Sequence, residues 1–255
     1  MGRRVSTAAA TAGLLCALTA QTACTASPPA PPARTGFTVR YAPPAAPDRA
    51  EAARLRAAGA AEAAAARLNE FLDLPHEVSV VARSCAGEGS GYDPGTRRVE
   101  LCYDDAVDDR ALFERAGERP ADEAVTAVWT ETVFHEAGHA LVDALDLPTD
   151  GRDEEDAADR FAAVMLLRQG EPGERALRLA AREYELAAAS ATGPHGDDQD
   201  EHAPDAVRAA THLCHLYGAA PAHHPDLAPR FPDCAATWTA TRTGWLADLA
   251  PLLRG

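Results

Sequence analysis

His135, Glu136 and His139 form an HExxH pattern, and its chemistry follows from the spacing. On an α-helix, residues four apart share a face one turn from each other, so both imidazoles converge on a single divalent cation. Glu136 stands one residue along, angled toward an open coordination position. There it accepts a proton from a water whose pKa a Zn²⁺ ion lowers towards about 7. Hydroxide chemistry of this kind needs no Ser or Cys.

Catalytic zinc takes three protein ligands, so a third must come from elsewhere in the chain. The metzincin pattern is excluded, because Val142 and Leu145 stand where it requires Gly and His. The gluzincin arrangement instead takes a Glu from a following helix, with an Asp four residues later in support of a ligand His. Glu155 and Asp159 have that spacing and share one helix face. Glu155 is the expected third ligand, with Glu154 as the alternative. Asp159 is the expected acceptor for the far N–H of His135 or His139, and Asp143, one turn beyond His139, for the other ring. The competing reading is that Asp153 to Asp156 form the acidic first turn of a solvated helix.

The elements that position these residues are mostly helical. Ala121 to Leu145 reads as a long helix with Asp122 and Glu123 in its first turn, where the dipole favours negative charge, and Pro148 beyond its end. Gly138 inside it costs about 1 kcal/mol relative to Ala, which suggests close approach of another segment. Ala50 to Leu72 reads as one amphipathic helix stopped by Pro75, and Val78 to Arg83 with Arg97 to Tyr103 reads as a β-hairpin. Helices then follow at Asp108–Ala116, Glu154–Arg168, Gly173–Ala189, Pro204–Tyr217 and Ala235–Leu249. The expected fold is α+β and mostly helical, one domain over residues 50–255.

The 255-residue chain contains no Lys and no Ile and carries a formal charge of −15, which argues against a nucleic-acid surface or a polybasic membrane patch. Residues 1–23 have the layout of a secretory signal: Arg3 and Arg4, an apolar run from Ala8 to Ala20, then small residues. Cys24 is a lipidation candidate, although Gln21 stands where a lipobox usually has Leu. Residues 24–49 form a Pro- and Ala-rich tether. The expected location is therefore outside the cytoplasm, as a cell-surface lipoprotein attached through Cys24 or as a secreted protein. Cys85, Cys102, Cys214 and Cys234 remain in the folded part. An oxidising compartment suggests two bridges, and the local pairs Cys85–Cys102 and Cys214–Cys234 are favoured among three pairings.

The runs FHEAGHALVDALDLP and GRDEEDAADRFA, then DEH and LCHLYG, together with YDPGTRRVELCY further upstream, resemble a family of bacterial exported metallopeptidases whose substrate is unknown. The resemblance covers about Leu72 to the carboxyl terminus. It implies a zincin-like fold with a small sheet against the helix that carries HExxH. By analogy with thermolysin-like enzymes, it also implies a substrate strand added to the sheet edge.

Asp200, Glu201 and His202 match the family's DEH segment. His202 is a candidate for donating a hydrogen bond to a developing oxyanion. The other readings are a surface His after a helix-capping pair, or a fourth ligand to a structural zinc. His212 and His215 read as exposed or half-buried helix residues with no acidic partner on their face. Three functions are weighed: a zinc peptidase acting on a peptide or protein, a zincin-like metal-binding or interaction module without peptidase activity, and a structural acidic domain in which HExxH arose by chance.

Overall fold

The computed structural model describes Gly2, residues 35–190 and residues 201–254. The secretory signal, Cys24, the first part of the tether and Asp200 lie outside the described residues.

Val78, Val80 and Ala82 alternate with Ser79, Val81 and Arg83, and the first set is fully buried in strand β2 (Val78–Arg83). On one side β2 pairs in parallel with β1 (Phe37–Tyr41), and on the other in parallel with β4 (Arg98–Cys102). β3 (Gly91–Asp93) folds back antiparallel on β4, giving the order β1-β2-β4-β3.

Two expectations are corrected here. The segments Val78–Arg83 and Arg98–Cys102 are parallel neighbours and not a hairpin; β3 and β4 form the antiparallel pair, and three residues are too few to show a period. Strand β1 lies inside the stretch assigned to the tether, so the sheet begins about a dozen residues before the expected domain start at residue 50. Three of the seven prolines that suggested a spacer, Pro43, Pro44 and Pro47, follow this strand.

Parallel strands need a crossover, and two helices supply it between β1 and β2. The single helix expected there breaks at Gly59, whose φ of 64° is left-handed backbone. The Gly59 N–H closes α1 (Arg49–Ala58) on Leu55 O at 3.1 Å, and α2 (Ala60–Phe71) starts anew. After β4 come α3 (Tyr103–Arg115) and α4 (Asp122–Leu145). The helical half continues with α5 (Gly151–Leu167), α6 (Glu171–Ser190), α7 (Asp205–Ala219) and α8 (Cys234–Asp248).

The fold is α+β and mostly helical, with α4 as its central element. α4 is buried on most sides between Ala124 and Val142, packing on the sheet and on α2, α3, α5 and α6. Phe134 on α4 and Phe113 on α3 are fully enclosed, and truncating either to Ala is expected to cost about 3–5 kcal/mol. The disulfides are the two local pairs: Cys85–Cys102 joins the chain beyond β2 to the end of β4, and Cys214–Cys234 joins α7 to α8.

Candidate metal centre

α4 and α5 touch backbone to backbone at Gly138. A methyl group added there would lie 2.8 Å from Ala158 Cα and 3.2 Å from its Cβ. This approach sets His135 and His139 of α4 against Glu155 and Asp159 of α5. The His135 and His139 Nε2 atoms are 3.2 Å apart, and Glu155 Oε2 lies 3.2 Å from the first and 3.4 Å from the second. Three ligands bonded to one zinc at about 2.0–2.1 Å, at tetrahedral corners, stand about 3.3–3.4 Å from each other. The donor set therefore has a size and a chemistry that can hold a divalent metal ion such as zinc.

The far side of each ring explains why both Nε2 atoms are available. His135 Nδ1 is 2.9 Å from Asp159 Oδ1, and His139 Nδ1 is 2.8 Å from Glu154 Oε1. With N–H donated to a carboxylate at Nδ1, each ring presents a bare lone pair at Nε2. Two such lone pairs facing each other at 3.2 Å repel unless a proton or a metal ion lies between them. Glu155 Oε2 is within 3.4 Å of three imidazole nitrogens, yet none of these contacts has hydrogen-bond alignment.

Two placements differ from expectation. Glu154, the alternative ligand, supports the His139 ring. Asp143, expected there, instead accepts a hydrogen bond from the Tyr92 hydroxyl of β3 at 2.9 Å. A further residue gave no sequence signal: Arg208 of α7 grips Asp159 through Nε to Oδ2 at 2.8 Å and Nη2 to Oδ1 at 2.6 Å.

The electrostatics call for positive charge. Burial opposes a charge on His135, but Asp159 and Glu155 outweigh it and push the ring up to about 10. His139 is also raised; burial opposes its charge, and Glu155, Glu136 and Glu154 prevail. The carboxyl of Glu155 is held far below the usual range by three imidazoles, against the effect of burial. Asp159 is held far below by Arg208 and His135, again against burial. Without a metal, protons on the rings meet this demand, and a divalent cation meets it by displacing them. Glu136 differs: it is 5% exposed, its Oε2 has no hydrogen-bond partner among the described residues, and burial pushes its carboxyl up despite the nearby imidazoles.

These residues form the floor of a cleft of about 450 Å³, walled by β3, the end of α4, the start of α5 and the segment at Glu201 and His202. His202 Nε2 is 2.9 Å from Glu155 Oε2, and its ring lies beside that of His135 with centroids 5.9 Å apart. The His202 side chain is 42% exposed while those of His135 and His139 are 6% and 12% exposed. It belongs to the site but stands at its mouth.

Four other histidines have partners elsewhere in the fold. His212 and His215 are buried, contrary to expectation. His212 Nε2 meets Glu131 Oε1 of α4 at 3.0 Å, an acidic partner 81 residues away in sequence, and His215 Nε2 meets Thr241 Oγ1 at 3.1 Å. His223 and His224 both contact Glu174.

A family model described as "Putative metallopeptidase" matches residues 41–246, and the chain belongs to that family. Searches of curated proteins and of solved structures found no match. The family implies a metal, and the cleft offers candidate ligands for one: His135 and Glu155 together with His139 or with His202.

Proposed function

We propose that this protein is an exported zinc-dependent peptidase of the gluzincin type, with His135, His139 and Glu155 as the metal ligands. The observation that carries this reading is the near-equilateral triangle formed by their ligand atoms, with edges of 3.2, 3.2 and 3.4 Å. Zinc held there supplies Lewis acidity toward water and toward the scissile carbonyl.

The chain's own residues do the rest. Glu136, buried with a raised carboxyl pKa and an unpartnered oxygen, takes the proton of the attacking water and returns it to the leaving amine. Asp159 and Glu154 hold the two rings in the tautomer that leaves Nε2 bare. His202, at the mouth, donates a hydrogen bond to the oxyanion as the carbonyl carbon becomes tetrahedral. β3 forms the sheet edge beside the cleft, and an extended substrate adds to it through backbone hydrogen bonds. The signal-like layout of residues 1–23 supports export, and the two disulfides support an oxidising compartment.

The experiment is a peptide-library cleavage screen on the zinc-loaded wild type and Glu136→Gln. Cleavage by the wild type, with a loss of about 10³-fold or more in Glu136→Gln at equal zinc content, is expected. Equal zinc in both proteins with no cleavage by either would instead support a zincin-like module that binds metal without peptidase activity.

A further inference from the structure

We infer that the substrate of this cleft is a cationic peptide, an extended segment with Arg or Lys side chains flanking the bond to be cut. The inference rests on the peptidase reading of the site. The rim is acidic on both sides: Asp143 and Asp146 stand at the end of α4, and Glu201 faces the cleft beside His202. No Arg lines the cleft, and among the described residues none pairs with these three carboxylates; the Arg152 guanidinium donates instead to the backbone carbonyl of Glu201 at 2.9 Å. Elsewhere in the molecule arginines do pair with acids, as in Arg110 with Glu51 and Asp122, and Arg83 with Glu88 and Glu100.

The placement of Asp143 and Asp146 is electrostatically unfavourable in the free protein. The last turn of a helix carries partial negative charge and favours basic side chains, yet the last turn of α4 has none and holds two aspartates at its end. Asp146 caps α4 with φ at 51°, a left-handed conformation that Asp adopts more readily than most side-chain-bearing residues. Glu136, nine-tenths buried and with an unpartnered oxygen, lines the same cleft. A cationic chain against the edge of β3 neutralises the rim. An anionic chain meets carboxylates on two walls and the C-terminal end of a helix, a repulsion that excludes it.

The test uses full-length zinc-loaded Glu136→Gln and three fluorescent nonapeptides with one shared central sequence, flanked by Arg, Gln or Glu, read by anisotropy. The Arg peptide is expected to bind at least tenfold tighter than the Gln peptide, and the Glu peptide more weakly still. That preference should shrink in 0.5 M salt and fall to about twofold when Asp143→Asn and Asp146→Asn are added. Glu201→Gln, on the opposite wall, is the second variant and should weaken the preference alone. Equal affinity for the Arg and Gln peptides, no binding of any peptide, or a preference untouched by both sets of substitutions overturns the inference. Wild-type turnover separates the two readings. Cleavage without charge preference removes the substrate class and leaves the peptidase; charge-selective binding without cleavage does the reverse.

Discussion

Arg208 and Asp159 are joined by two bonds of 2.8 and 2.6 Å, and the same Asp159 accepts His135 Nδ1 at 2.9 Å. One imidazole of the candidate metal site is thus held through a carboxylate by a guanidinium from a third helix. Arg208 in turn lies 4.3 Å over the Tyr184 ring, and Tyr184 meets His212 edge-on at 5.5 Å. This buried chain ties the orientation of His135 to the packing of α6 and α7.

Arg208→Lys keeps the charge but loses the planar fork that grips both Asp159 oxygens. Zinc affinity, measured by competition with a coloured chelator, should fall about 10- to 100-fold. Unchanged affinity would mean that Asp159 needs no such support.

At Gly138 the obstacle is backbone: Ala158 Cα lies 2.8 Å from any added Cβ. Gly138→Val should therefore cost about 1–3 kcal/mol by overpacking and separate α4 from α5. Thermal denaturation and zinc titration should both register it. A stable variant with full zinc affinity would show that the close approach is dispensable.

His215 provides a pH test away from the site. Burial, with His212 and Arg160 adding to it, depresses the ring to about 3, so the folded state resists a proton that the unfolded chain accepts below about 6.5. The stability this neutral ring allows is present above pH 6.5 and declines as pH falls toward 3. Glu183, raised to about 7 by burial, changes stability in the opposite direction over part of this range, so the readout is a difference. The stability of wild type minus that of His215→Asn should decrease steadily between pH 6.5 and 4. A constant difference would show that His215 does not titrate in this way.

How much of this was legible in the sequence depended on distance along the chain. HExxH and the Glu155–Asp159 spacing are four-residue relationships on single helices, so geometry at 3.6 residues per turn revealed which side chains share a face. The two disulfides, spanning 17 and 20 residues across turn-rich segments, were equally local. Spacing could not say which carboxylate a ring would reach. Asp143 is one helical turn from His139 and Glu154 lies on the next helix, yet Tyr92 of β3 engages the first and the approach at Gly138 delivers the second.

Other features had no local signature. Arg208 meets Asp159 across 49 residues and His212 meets Glu131 across 81, so only the packed fold pairs them. The parallel alignment of β2 and β4 was hidden because the turn signals between them serve β3 instead. The break at Gly59 was hidden by alanine, which favours helix on either side of it.

The central claim, one zinc held by two imidazoles and the Glu155 carboxylate, is tested most directly by X-ray absorption and metal titration of wild type and Glu155→Ala. One zinc per chain is predicted for the wild type, with two imidazoles and oxygen ligands at about 2.0–2.2 Å, and affinity at least 100-fold weaker in Glu155→Ala. Zinc bound with equal affinity by both proteins, or a wild-type spectrum without two imidazoles, would contradict the account.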